Sequence, residues 1–453
     1  MTGIPAPRRH FSCDGHAMRL ALALLLLSGA AHAQPTPPSR IVVKAARMFD
    51  GTGDRLRTDV AVLIEGNTIK EVGTPAQIEA KAPGARVIDV GQATLLPGLV
   101  DAHTHLASDG VTEDYATMLI KQSLATRAIV ATANARTMLA YGFTTVRDVE
   151  TEGAMYTDAD LAAAIASGLV PGPRLYASTR GIAPTGGYLP DDVAWDAKVA
   201  TGAQLVDGVD EIRKAVREQV RFGASWIKVY ADFGMYPGSR ADRPLRSRPN
   251  FRDDELRALV DEAHRLGRKV AAHATGWEGI DAALRAGVDS IEHGFGLTTD
   301  LATRMAKQGV ALVPTTHVMQ SRLAQAKNNP RLARLVEAHK AAVKRALAAG
   351  VRIVNGSDVG SFPYTDNPVA EIALLHEYGL TRAQALRAAT SAASPLLAPL
   401  CAPDQANCEH DKIGVIAPGA FADLIAVDGN PLDDLRVLAS LKLVMKDGVV
   451  VSP

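Results

Sequence analysis

Leu96-Pro97-Gly98-Leu99-Val100-Asp101-Ala102-His103-Thr104-His105 is the stretch on which the reading of this chain turns. A short apolar run opens with Pro-Gly and closes on two histidines two residues apart. Such a run, bounded by turn residues, reads as a buried strand. Strand side chains alternate faces, so His103 and His105 leave the strand tip on the same side. Two imidazoles placed that way supply half of a divalent-metal site. The other half must be sought elsewhere in the chain.

Outward from this stretch, strands and helices alternate. Candidate strands fall at 99–103, 143–148, 173–178, 225–230, 269–273, 289–293, 311–316 and 351–357. Most are separated by amphipathic helical stretches, such as Asp253 to Leu266 and Leu332 to Ala349. This rhythm predicts an α/β fold, a (β/α)8 TIM barrel spanning 96–400. An open doubly wound sheet is the competing arrangement, but no Gly-rich phosphate fingerprint follows the first strand. Before the barrel, Ile41 to Leu95 carries short β runs, with Gly66-Asn67 marking a tight hairpin. The same texture returns at Asp423 to Asp428 and Leu441 to Val450. The two ends, 34–95 and 401–453, are therefore expected to form one small β-sandwich domain.

A barrel carries its chemistry at the C-terminal strand ends. The first strand ends in His103-Thr104-His105, the fifth in Ala272-His273, the sixth in Glu292-His293-Gly294 and the eighth in Gly356-Ser357-Asp358. The fourth, Ser225-Trp226-Ile227-Lys228-Val229-Tyr230, carries a lysine inside an apolar run. Each residue alone has an ordinary explanation. A strand-end His is usually a hydrogen-bonded polar residue, a strand-end Asp usually caps the next helix, and an interior Lys pairs with a buried carboxylate. Their joint placement on successive strand ends is what those explanations leave unexplained.

On these residues the chain resembles the amidohydrolase superfamily, over nearly its whole length after the N-terminal leader. The Ile-Lys-Val-Tyr, Ala-His-Ala-Thr-Gly, Ile-Glu-His-Gly and Asn-Gly-Ser-Asp segments are most similar to its prolidase-like branch, to which ochratoxin-type amidases are also similar. Imidazolonepropionase resembles the first strand but lacks the strand-four lysine. The resemblance implies two divalent metal ions, usually zinc. His103, His105 and Asp358 would hold the more buried ion and His273 and His293 the more exposed one. Lys228 would be carboxylated and bridge both. Burial favours the neutral amine, which can add CO2 to give a two-oxygen anion. The nucleophile would be a water made acidic by the two cations, with Asp358 as proton acceptor and donor. The implied activity is hydrolysis of the amide bond of dipeptides (Xaa-Pro or an apolar C-terminal residue) or N-acyl amino acids. The alternatives are another bond at the same centre (lactone, cyclic amide or phosphoester) and a non-catalytic barrel, which would typically have lost metal ligands.

Cleavage next to a C-terminal residue requires a contact for its carboxylate. Tyr230 shares the inward face of its strand with Lys228 and is the first candidate, barrel packing being its other reading. Arg147 at the end of the second strand is another; its other reading is an ion pair with Asp148 or another wall residue. His317, after the seventh strand, is the third. His264, His339 and His376 lie in helical stretches and read as surface residues. Two long loops, 181–196 and 232–250, are expected to act as lids or specificity elements.

The chain has 453 residues, 47% apolar and 22% charged, with a net charge of zero. It has room for a large core, and nothing in the balance points to nucleic acid or an acidic membrane as partner. Met18-Arg19, the Leu/Ala run from Leu20 to Leu27 and Ala31-His32-Ala33 read as a signal peptide over residues 1–33, with Met18 as the true start. The protein is then expected to be periplasmic or secreted, unattached to membrane after cleavage, and a homo-oligomer. In that compartment Cys401 and Cys408 are expected to pair, free thiols or a metal clip being the alternatives.

Overall fold

The computed structural model describes residues 40–110, 115–188, 190, 193–235, 245–325, 329–400 and 413–452. The leader and both C-terminal cysteines lie outside the described residues.

The two chain ends do come together. Their strands run in the order Val449–Ser452, Leu441–Lys446, Leu424–Val427, Thr94–Pro97, Arg40–Met48, Arg57–Glu65 and Thr68–Gly73, with Arg86–Asp89 also paired to Arg40–Met48. The hairpin at Gly66-Asn67 is present, Glu65 facing Thr68 across it. This is one eight-stranded sheet; the two stacked layers of the expected sandwich are not shown by the pairing. Arg40–Met48 is apolar on both faces for a physical reason. Ile41, Val43 and Ala45 pack into the core shared with the C-terminal strands. Val42 packs on the opposite face against Ile78 and Ala82, in and just after helix Pro75–Lys81. The quoted opening stretch also divides: Thr94–Pro97 belongs to this sheet, and the first inner strand begins at Leu99. Gly98 sits at the break because a Cβ there would lie 2.1 Å from Thr144 Oγ1.

The inner strands are parallel and form two groups. Leu99–Thr104, Phe143–Asp148 and Arg174–Ala177 make one. Trp226–Tyr230, Lys269–Ala274, Ser290–His293 and Ala311–Val313 make the other, with Ile182–Ala183 and Gln204–Leu205 at its edge. Single hydrogen bonds link the groups. Ser225 N donates to Ala177 O at 2.8 Å. The expected eighth strand is a bridge segment rather than a regular strand. Val354 N donates to Leu312 O and Ala102 N to Asn355 O, both at 2.9 Å. The regular pairing therefore gives two sheets, not one closed sheet. Helices Asp253–Arg265 and Pro330–Ala348 fall where their apolar periodicity placed them. Among the described residues no helix is long and apolar enough to cross a membrane.

Candidate metal centre

The strand ends deliver their polar residues to one place. His103 and His105 project from the first inner strand, and Asp358 follows the bridge segment beside it. Their ligand atoms all lie within 4.8 Å of one another. His105 Nε2 is 3.2 Å and His103 Nε2 3.8 Å from Asp358 Oδ1. His293 stands next to His103, ring centres 5.1 Å apart, and His273 is 4.6 Å from His293. Lys228 is buried among them, 1% exposed. The six residues named from the sequence thus all line one cavity of about 530 Å³.

Backbone strain aims two of them. His293 has φ +72° and Asp358 φ +65°, a region that costs non-glycine residues on the order of 1–3 kcal/mol. Both turn their side chains inward where a continued strand would not.

The remaining edges of the imidazoles are held from behind. His103 Nδ1 meets Glu292 Oε2 at 2.7 Å, His293 Nδ1 meets Thr315 Oγ1 at 2.8 Å and His105 Nδ1 meets Glu150 O at 3.1 Å. A ring fixed at Nδ1 presents Nε2 as a ligand atom. Asp232 Oδ1 lies 3.7 Å from His273 Nε2, and its carboxylate is fixed by the Thr275 and Gly276 amides. A nitrogen-and-carboxylate set braced in this way fits a divalent metal.

Electrostatics favour ligation at three of the imidazoles; at the fourth, His105, burial is outweighed by the Asp358 hydrogen bond and the Glu152, Asp358 and Asp148 charges, which push it up to about 10, so an ion there would displace its proton. Burial pushes His273 and His293 well below the ordinary imidazole range, and pushes His103 down to about 4, so all three are neutral donors at pH 7. Burial also lowers the Lys228 ammonium against the opposing charges of Glu292, Glu150 and Asp358. For Asp358 burial works upward, but the His105 hydrogen bond and the charge on that imidazole outweigh it and hold the carboxyl well below the usual range. Glu150 is pushed up to about 8, by burial first and by Glu152 next.

The proposed substrate contacts fare differently. Tyr230 lines the cavity, but its hydroxyl donates to Glu150 Oε2. Arg147 takes its ion-pair reading rather than the substrate contact, which is corrected: it is fully buried and off the cavity wall, donating to Glu292 Oε1 at 2.8 Å and to Ala102 O at 2.7 Å, with its guanidinium stacked over Trp226. The second strand runs it inward into the interior, and its partner is a wall carboxylate other than Asp148. His317 is also off the cavity wall; its Nε2 pairs with Asp366 at 3.2 Å. His339 is no surface residue: it is fully buried between Phe295 and Tyr378. His264 and His376 are half-buried, on Asp289 and Leu380 O respectively. Of the two loops, Tyr188 and Phe233 reach the cavity, whereas Trp195 is 96% exposed.

Sequence reading missed Glu292 as the brace of His103, and it missed Glu150 and Glu152. The signal for the last two was present in Asp148-Val149-Glu150-Thr151-Glu152, an acidic run directly after an inner strand.

A candidate ligand set on parallel strand ends in a substrate-sized cavity is the arrangement of an α/β protein with a metal-dependent active site. Residues 94–451 match the Amidohydrolase family model. The ochratoxinase of Aspergillus niger is 31% identical over 426 residues, covering 89% of this chain and 84% of that protein. The crystal structure of a Xaa-Pro dipeptidase with bound methionine superposes with a TM-score of 0.78 at 30% identity, over 92% of this chain and all of the other. The structure of the A. niger ochratoxinase gives 0.76 at 28% identity, over 91% and 96%. The chain belongs to the amidohydrolase family, whose fold is TIM-barrel-like, and is a hydrolase acting on carbon–nitrogen bonds.

Proposed function

We propose that this chain is a periplasmic or secreted binuclear zinc amidohydrolase. It would cleave the amide bond of dipeptides with proline or an apolar C-terminal residue, or of N-acyl amino acids, ochratoxin-like amides included. The observation that carries the reading is the convergence of His103, His105, Lys228, His273, His293 and Asp358 on the floor of one cavity. Phe295, Val318, Met319, Leu332 and Leu335 give that cavity an apolar wall suited to an apolar side chain.

His103, His105 and Asp358 would hold one ion, His273 and His293 the other, and a carboxylated Lys228 would lie between them. When bound, such ions acidify the attacking water and polarise the scissile carbonyl. The residues of the chain do the rest. Glu292 and Thr315 keep the imidazoles oriented. Asp358, held ionised, accepts the proton of the attacking water and returns it to the departing nitrogen, so that acid and amine leave with the proton balance closed. We further infer that the parallel strands close into an eight-stranded barrel through the bridge segment, that residues 1–33 are removed as a signal peptide, that Cys401 and Cys408 pair, and that the protein is a homo-oligomer.

The test is hydrolysis of Xaa-Pro, Xaa-Phe and N-acetyl amino acids by protein of measured metal content, before and after chelation. Metal-dependent release of the C-terminal residue is expected. Activity untouched by complete removal of metal sinks the mechanism. Release of product only from lactones or phosphoesters replaces the amide reading with the alternative bond.

A further inference from the structure

We propose that Glu152, flanked by Tyr115 and Tyr188, is a subsite for a positively charged ammonium group of the substrate beside the metal centre. The inference rests on the amide-hydrolase reading and narrows its substrate class.

Glu152 lines the metal-centre cavity and is only 9% exposed. Tyr115 donates to its Oε2 at 2.6 Å from the start of helix Tyr115–Lys121, and Tyr188 donates to the same oxygen at 2.7 Å from a separate loop. Oε1 receives no hydrogen bond among the described residues. No lysine or arginine there pairs with the carboxylate either. Around it stand Glu150, the Arg127 guanidinium and His105 Nδ1, which lies 3.4 Å from Oε1 and has the nearer Glu150 carbonyl at 3.1 Å. A buried carboxylate with one oxygen free of hydrogen bonds and no lysine or arginine in contact gains from a cation that arrives to pair with it.

The carboxylate is also aimed. Glu152 has φ +51°. Arg127 holds this strained turn by donating to Thr151 O at 2.9 Å and Glu152 O at 3.0 Å, so its guanidinium bonds the backbone rather than the carboxylate. Tyr188 packs on Tyr230, ring centres 4.2 Å apart, and Tyr230 reaches the second carboxylate, Glu150. This wall therefore presents phenol rings beside the Glu152 carboxylate, a surface suited to an ammonium. The ammonium could be the free amino terminus of a dipeptide or a side-chain amine on the leaving residue. An N-acyl amino acid with an apolar side chain offers neither.

Two measurements on metal-loaded protein test this. The first is calorimetric titration of the native protein and of Glu152→Gln with 2-phenylethylamine and 2-phenylethanol, which differ in charge but share ring and chain. The native protein is expected to prefer the amine at least tenfold, and the substitution to abolish the preference. Equal affinities in native protein overturn the proposal. So does amine binding that survives the substitution, which would be ligation of the metal. This arm stands even if no peptide is cleaved, an outcome that would sink the amide reading alone. The second is kcat/KM for Ala-Phe, Nα-acetyl-Lys and N-acetyl-Phe. Glu152→Gln is expected to lower by at least tenfold the ratio of one amine-bearing substrate to N-acetyl-Phe, and the ratio that falls identifies the end carrying the ammonium. Equal loss on all three, accompanied by loss of bound metal, would make Glu152 a brace for His105 and overturn the subsite.

Discussion

Glu292 does more than any residue outside the ligand set, and it does so while fully buried. Oε2 holds His103 Nδ1, and Oε1 takes Arg147 at 2.8 Å and Ser290 Oγ at 2.5 Å. Burial would raise its carboxyl, but the Arg147 charge and the His103 bond outweigh that and hold it down to about 2. Glu292 is thus an anion at all working pH values, with Arg147 in direct contact as its counterion. Glu292→Gln keeps the shape and removes the charge, so metal affinity at the His103 side should fall about 10–100-fold, read by competition with a chromogenic chelator. Arg147→Met leaves the carboxylate buried and unpaired. It should cost about 3–5 kcal/mol of stability, measured by denaturant unfolding. A loss below 1 kcal/mol would mean that Arg147 is not the counterion. An ion pair with a wall residue was one of the two sequence readings of Arg147, whereas the role of Glu292 was not readable. Strand alternation sends Glu292 and His293 to opposite faces, so the sequence offered no reason to join Glu292 to the ligand cluster; the left-handed backbone at His293 brings its ring to the site that Glu292 braces from below.

At the scale of elements, the legible parts were those with period and the illegible ones those without. The strands ending in His105, His273 and His293 announced themselves as apolar runs with a polar tip. The segment before Asp358 looked the same and is not a regular strand. It threads between Leu99–Thr104 and Ala311–Val313 so closely that Gly356 has no room for a side chain: a Cβ would stand 2.3 Å from Val313 Cγ1 and 2.9 Å from His103 Cβ. Gly356→Ala should therefore push His103 and Asp358 apart, with a stability loss of about 1–3 kcal/mol from overpacking and a fall in bound metal per chain. Full metal content in a stable variant would show that the segment can shift without the site. A second contact ties helix Asp253–Arg265 to the sheet. His264 Nε2 meets Asp289 Oδ2 at 2.8 Å, and the same oxygen accepts Val270 N. The Asp289 hydrogen bond raises the His264 pKa above 6.5, burial opposing it. A raised imidazole contributes stability that is fully present below about pH 6.5 and lost as pH rises through the folded-state value. After screening at this half-exposed position, about 1 kcal/mol or less is expected. Native protein should unfold at a higher temperature than His264→Gln at pH 5.5, and the gap should shrink steadily towards pH 8.5. A gap that grows with pH would reverse the assignment.

Across the whole molecule, the pairing of the two chain ends was legible because each end repeats the same short β texture. That they make one sheet was not, because alternation describes a face of a strand and says nothing of how many layers stack on it. The same limit applies to the site. Residue types and strand ends identified six ligand candidates, whereas the acidic and phenolic wall comes from Tyr115, Glu152 and Tyr188, on segments with no period to read. What joins the scales is charge. The cavity floor and the interior around it hold Lys228, Arg147, Glu292 and Asp358, all buried, around three imidazoles that burial keeps neutral and a fourth, His105, that neighbouring carboxylates keep charged. Ion binding to the folded state alone adds stability by mass action, about 4 kcal/mol when the free ion is at a thousand times its dissociation constant. Because the ligands come from strands spread along the chain, from His103 to Asp358, that energy acts on the cooperative unfolding of the β/α part as a whole. Exhaustive chelation should thus lower the unfolding temperature by several degrees in one cooperative step, and adding zinc back should restore both the temperature and hydrolysis in parallel. If chelation abolishes hydrolysis while the unfolding curve stays put, the ions are held too weakly to be part of the folded framework. The braces behind His103, His105 and His293 then serve orientation alone.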